Sequence, residues 1–277
     1  MFTRGKAACF YRGIVKTIIM AVKIHSKAVV AKSAKLADKV KVGPFAVIGE
    51  NVKIAAGTVI EAGAQVIGNT QVGKNCHIFP YAIIGSISQD LKYAGVKSYL
   101  VIGDNNTIRE FVTINTGTED GSQTVVGDGN HIMAYSHIAH DCAIGNENVF
   151  ANCATLAGYV RVGDKSVIGG LAAVHQFCRV GSYAIVGGCS KVVQDIPPFS
   201  MCDGHPAVVC GLNAIGLKRA KFSNETVNDL KKAFKILFFE NHTFAAASEL
   251  VKEKVAQSSE VDQLIKFIAS SKRGISK

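Results

Sequence analysis

Aliphatic residues recur at every sixth position along most of the chain, and few folds satisfy that constraint. Val30, Leu36, Val42, Ile48, Ile54, Ile60, Val66, Val72, Ile78 and Ile84 hold the register without a slip. It resumes at Ile102, Ile108 and Ile114, breaks again, and then runs from Val126 through Ile132, Ile138, Ile144, Phe150 and Leu156 to Val192. Neither strand alternation nor the helical period keeps one residue class at that interval, so the pattern defines a repeat protein, a parallel β-helix of hexapeptides. Each hexapeptide supplies a short strand with its aliphatic side chain turned inward, followed by a turn. Gly or Ala follows the inward residue at most turns, Gly43, Gly127, Gly163 and Ala139 among them. Glycine's tolerance of positive φ and alanine's small volume suit repeated tight bends. Three hexapeptides close one triangular coil of 18 residues, so residues 18 apart are expected one above another, about 4.8 Å apart. Periodicity does not give the hand of the coil.

Two interruptions divide the repeat. Segments near 86–100 and 115–124 are polar and glycine-bearing, and insertions in a solenoid leave its wall as loops that commonly carry function. Beyond Val192 the sequence Gln194-Asp195-Ile196-Pro197-Pro198 stops the pattern. A helical period then appears: Ser223 is the expected N-cap of a helix burying Val227, Leu230, Phe234, Leu237 and Phe238, with two further helices over Thr243 to Val255 and Val261 to Ala269. The expected organisation is a basic extension over 1–21, a β-helix over 22–200 and a C-terminal helical domain over 201–277 that caps the last coil. The extension is read as an upstream segment ahead of a natural start at Met20, with a targeting presequence as the alternative.

Net charge is +10, but its distribution excludes a nucleic-acid platform: residues 1–41 carry +9, 42–213 carry −4 and 214–277 carry +5. No uninterrupted apolar run approaches 20 residues, which argues against a membrane span. The eight cysteines form no C-x-x-C pair and read as reduced apolar fillers of a cytoplasmic protein.

His137-Ile138-Ala139-His140-Asp141 is the densest group of reactive side chains. His140 lies two places beyond the inward Ile138, at a turn; the equivalent residues of the next two coils are Gly158 and Gln176. The register therefore stacks an imidazole, an open glycine N–H and an amide along one edge. A neutral imidazole accepts a proton as general base, a neighbouring carboxylate such as Asp141 holds its tautomer, and a glycine N–H donates to a developing oxyanion. This set suits acyl transfer to a hydroxyl.

The motifs HIAHDC, TLAG at 155–158, GGLAAVHQF at 169–177, SQDLKYAG at 88–95 and GLKR at 216–219 resemble the UDP-N-acetylglucosamine 3-O-acyltransferase family of lipid A biosynthesis. The likeness extends from about Val22 to the C-terminus. It implies a left-handed β-helix and a homotrimer with active sites between subunits. It also implies transfer of a 3-hydroxyacyl group from acyl carrier protein to UDP-N-acetylglucosamine, with no metal and no bound cofactor. By the same resemblance His140 is the base, Asp141 its orienting partner and Gly158 the oxyanion donor. Asp90, Lys92, His137, His175 and Gln176 contact substrate, Asn213 and Arg219 belong to the nucleotide-binding stretch, and Gly188 limits acyl length; for His175 a buried packing role is the alternative. Tyr159, Ile215 and Ala220 depart from the family pattern. Three rivals remain at this stage: a trimeric β-helix zinc hydratase with His137, His140 and His175 as ligands, the N-acyltransferase acting later in the same pathway, and a non-catalytic scaffold.

Overall fold

A computed structural model describes residues 21–277; the N-terminal extension, and with it the question of a start at Met20, lies outside the described residues. Short parallel strands run from Lys23–Ile24 to Lys191–Val192, and each of three sheets takes every third strand. The result is a left-handed parallel β-helix. In the regular coils partners are 18 residues apart, as for Thr155 and Ala173 or Arg161 and Arg179. Across the first insertion the interval lengthens to 30, Ile84 against Ile114, and across the second to 24, Ile114 against Ile138. Both insertions thus preserve the six-residue beat.

The inward aliphatic residues form one continuous core, with Ile48, Ile78, Ile84, Ile114, Ile138 and Leu156 fully buried. Each such side chain stabilises the coil by roughly 1.5–3 kcal/mol. A second buried row lies two residues before the aliphatic one, where small and polar side chains fill the corners. There Asn106, Asn130 and Asn148 accept the backbone N–H of Asn130, Asn148 and Ser166 at 2.8, 2.9 and 2.7 Å. Cys76, Cys142 and Cys178 occupy the same row, and the seven cysteines among the described residues carry free thiols.

The reason for the corner glycines differs from the sequence-based expectation. Positive φ falls mainly on the third residue after the aliphatic one, where Asp141, Tyr159 and Phe177 have φ of 58°, 60° and 66°. The glycines directly after the aliphatic residue, Gly85 with its φ of 85° apart, serve close approach instead. A Cβ on Gly169 would lie 2.6 Å from backbone atoms of the next coil.

The C-terminal region also departs from the expectation of a purely helical domain. Ser200–Gly204 and Ala207–Leu212 form an antiparallel hairpin that extends the first sheet, Met201 pairing with Ile185. Its buried residues alternate, Ser200 and Cys202 on one strand and Ala207 and Val209 on the other, a period of two that separates it from the helices beyond. Four helices follow: α1 (Ala214–Arg219), α2 (Asn224–Phe234, continued by a π turn at Lys235–Phe239), α3 (Phe244–Lys254) and α4 (Ser259–Ala269). Ser223 caps α2 by accepting the Thr226 N–H at 3.0 Å, and Val227, Leu230, Phe234, Leu237 and Phe238 are buried. After α4 the chain returns to the β-helix, where Asp195 N–H donates to the Gly274 carbonyl and Ser276 N–H to that of Asp195.

Candidate active site

His140, Gly158 and Gln176 stack along one edge: Tyr159 N–H donates to the His140 carbonyl at 3.0 Å and Phe177 N–H to that of Gly158 at 3.1 Å. The left-handed backbone at Asp141 turns its carboxylate back on its neighbour, a conformation that costs a side-chain-bearing residue roughly 1–2 kcal/mol. Asp141 Oδ2 then lies 2.9 Å from His140 Nδ1 and also accepts the Thr118 N–H at 3.0 Å. An ionised carboxylate only accepts, so Nδ1 carries a proton, and in the neutral ring the lone pair is on Nε2. Nε2 faces Asp90 Oδ2 across 3.8 Å, too long for a hydrogen bond, and the His140 side chain is only 9% exposed. A Cβ on Gly158 would lie 2.5 Å from Nε2, inside contact distance. Glycine here makes room for the imidazole as well as leaving its own N–H open.

The two insertions are joined to each other and to this pair. Ser88 Oγ and Thr118 Oγ1 are 2.6 Å apart, Ser98 Oγ donates to Thr116 Oγ1 at 3.0 Å, and Asn115 Nδ2 donates to Ser86 Oγ at 2.8 Å and the Ile87 carbonyl at 2.9 Å. The first loop thereby holds Asp90 over His140, with Lys92 exposed beside it. His137 lies one strand position before Ile138, with Nδ1 2.7 Å from Thr113 Oγ1; burial, reinforced by His140, holds its imidazole below the ordinary histidine range. Burial pushes the Cys142 thiol up to about 12, so it is no nucleophile at neutral pH.

Other sequence-predicted residues fall elsewhere. His175 is exposed, not packed in the core, and its Nδ1 lies 3.2 Å from an Arg273 guanidinium nitrogen. It follows the inward Val174, at an outward-facing position. Asn213 is buried and both ends of its amide are engaged: its Oδ1 caps α1 through the Gly216 N–H at 2.9 Å, and its Nδ2 donates to the Tyr183 carbonyl at 2.8 Å. Arg219 is exposed in the last turn of α1. Gly188 lies on another edge of the prism, where Gly170 stacks against it and an added Cβ would meet only the Gly170 carbonyl oxygen, at 3.3 Å. Within one chain, then, Gly188 does not face His140.

Sequence reasoning missed Thr118 and Tyr159 as neighbours of the reactive pair, and Thr113 as a neighbour of His137. Thr113 reaches His137 because the second insertion shifts the coil interval to 24. The Tyr159 ring stands edge-on to His140, centroids 5.3 Å apart, and stacks on Phe177 at 4.9 Å. Burial first, then the charges of Asp141, Glu119 and Asp90, raise its phenol above the ordinary tyrosine range and keep it neutral.

A hexapeptide β-helix whose corner carries a carboxylate-held histidine over an open glycine defines a hexapeptide-repeat acyltransferase. Residues 123–158 match the bacterial transferase hexapeptide family, 19–119 match the GMPPB C-terminal domain, and 195–276 match the family described as Udp N-acetylglucosamine O-acyltransferase, domain 2. The acyl-[acyl-carrier-protein]--UDP-N-acetylglucosamine O-acyltransferase of Thiobacillus denitrificans is 49% identical over 91% of this chain and 98% of its own length. That of Thermodesulfovibrio yellowstonii is 56% identical over 75% of this chain and 81% of its own. Among solved structures, the UDP-N-acetylglucosamine acyltransferase from Campylobacter jejuni superposes with a TM-score of 0.86 at 42% identity, covering 92% of this chain and 99% of that one. The chain belongs to the UDP-N-acetylglucosamine O-acyltransferase family. Membership separates it from the hydratase, N-acyltransferase and scaffold readings.

Proposed function

We propose that the protein transfers a 3-hydroxyacyl group from acyl carrier protein to the 3-hydroxyl of UDP-N-acetylglucosamine, the first step of lipid A biosynthesis, as a cytoplasmic homotrimer. The observation that carries the reading is the His140–Asp141 contact of 2.9 Å, which leaves Nε2 as acceptor beside Asp90. A sugar hydroxyl about 2.8 Å from Nε2 donates its one proton there, and the Asp90 carboxylate, 3.8 Å from Nε2, is placed to accept from another hydroxyl of the same sugar. His140 takes the hydroxyl proton as the sugar oxygen bonds to the thioester carbonyl carbon. The Gly158 N–H donates to the resulting oxyanion, and Asp141 stabilises the imidazolium. Collapse breaks the carbon–sulfur bond, and the proton on His140 passes to the departing thiolate of the carrier.

Lys92, His137, His175 and Gln176 are assigned to the substrates, and the exposed Arg219 to the nucleotide. Asn213 supports that stretch by capping α1. In a homotrimer Gly188 of a neighbouring subunit borders the acyl chain. Lys218, Arg219 and Lys221 supply a positive surface for the acidic carrier. The test is mass spectrometry of the product when UDP-N-acetylglucosamine and a mixture of 3-hydroxyacyl carriers are supplied. A mono-O-acylated nucleotide sugar is expected; an N-acylated or unchanged sugar would refute the reading.

A further inference from the structure

Several coils before His140, the start of the β-helix carries an unbalanced positive charge. Residues 21–53 hold seven lysines against Asp38 and Glu50. The strand register sets Lys35 directly against Lys53, and Lys23 against Lys41. Like charges opposed across a strand pair cost stability, and none of these four forms an ion pair among the described residues. Surface lysines without a counter-charge are common; here the opposed pair also lines a cavity.

That cavity, about 260 Å³, lies on the third sheet between two rows of outward side chains. Lys35, Lys53 and Gln71 form one row; Ser33, Asn51 and Asn69 form the other. Lys97, returning from the first insertion, closes the far end with its ammonium 5.9 Å from the Tyr99 ring centroid. Among the described residues no carboxylate lines the cavity. The Asp120 carboxylate, at the Lys97 end, accepts the Lys97 backbone N–H at 3.3 Å. Three ammonium groups with amide and hydroxyl donors between them match the charge and hydrogen-bonding capacity of a phosphoryl group. We propose that this groove is an anion site for a phosphate or diphosphate group, on the same edge of the prism as His140 but with its walls in the coils that precede the first insertion. Its volume suits a group of that size, carried by a soluble phosphate compound or by the headgroup of an anionic lipid.

The test uses the full chain, a Lys35→Gln/Lys53→Gln variant and a Lys97→Gln variant. Thermal unfolding is followed with inorganic pyrophosphate against sodium chloride of equal ionic strength. Co-sedimentation is measured with vesicles of phosphatidylglycerol in phosphatidylcholine and of phosphatidylcholine alone. Without phosphate, the double variant should melt at or above the wild-type temperature, because the facing charges are gone, and both variants should keep wild-type turnover. Pyrophosphate should raise the wild-type Tm saturably beyond the chloride control, with an affinity at least about tenfold weaker in the double variant. If vesicle binding, and not pyrophosphate binding, is lost in the variants, the lipid headgroup is the source. If wild type and variants respond alike to both probes, the proposal is overturned.

Discussion

At the scale of single residues the reactive edge rests on backbone conformation as much as on side-chain identity. Asp141 reaches its own neighbour only because it adopts a left-handed turn, and Gly158 admits the imidazole only because it lacks a Cβ. The stacking of His140, Gly158 and Gln176 was legible by counting the register. The support of Asp141 by the Thr118 N–H was not, because an insertion's path is independent of the beat. His137 gives a pH prediction. Burial lowers its folded pKa below the ordinary 6.5, so the unfolded chain binds the proton more readily. That stability is present above pH 6.5 and is lost as pH falls toward the folded pKa. Thermal melts from about pH 7.5 to 5.5 should fall more steeply for the wild type than for His137→Gln. Equal slopes would show that His137 does not contribute.

At the scale of elements, a coil is a set of two-residue strands whose corners must fit the coil above. The core aliphatics and the helix face of α2 were plain in the sequence, since burial selects one residue class at a fixed period. What period alone did not reveal was the division of labour at the corners, positive φ at one position and close approach at another. Gly169→Ala puts a methyl 2.6 Å from Gly187 and Gly188 backbone atoms, with no flexible side chain to give way. A loss of about 1–3 kcal/mol is expected on denaturant unfolding. A change within experimental error would mean that the coils relax more readily than their spacing suggests. The hairpin at 200–212 is hard to see in the sequence for a related reason: its alternation spans few residues and follows a Pro-Pro stop.

For the whole molecule, Arg179 and Asp195 form one of the clasps between the C-terminal helices and the β-helix. Arg179 Nε donates to the buried Asp195 carboxylate at 2.8 Å, while its other nitrogens donate to Ser270 Oγ and the Phe267 carbonyl at 3.0 Å. The sequence holds Arg179 and Asp195 16 residues apart, but their tie to Ser270 and Phe267, some 90 residues further on, has no pattern that marks it. Removing the guanidinium leaves a buried carboxylate without its cation, so Arg179→Ala should cost about 3–5 kcal/mol. It should also expose the tail after α4 to proteolysis; an unchanged melt and digestion pattern would place the restraint elsewhere. No helix among the described residues is long and apolar enough to cross a membrane.

The central claim, that His140 is the base for acyl transfer, is tested most directly by the turnover of His140→Ala with both substrates saturating. The geometry predicts a fall in kcat of at least about a hundredfold, with the affinity for UDP-N-acetylglucosamine largely retained. Turnover close to that of the wild type would contradict it.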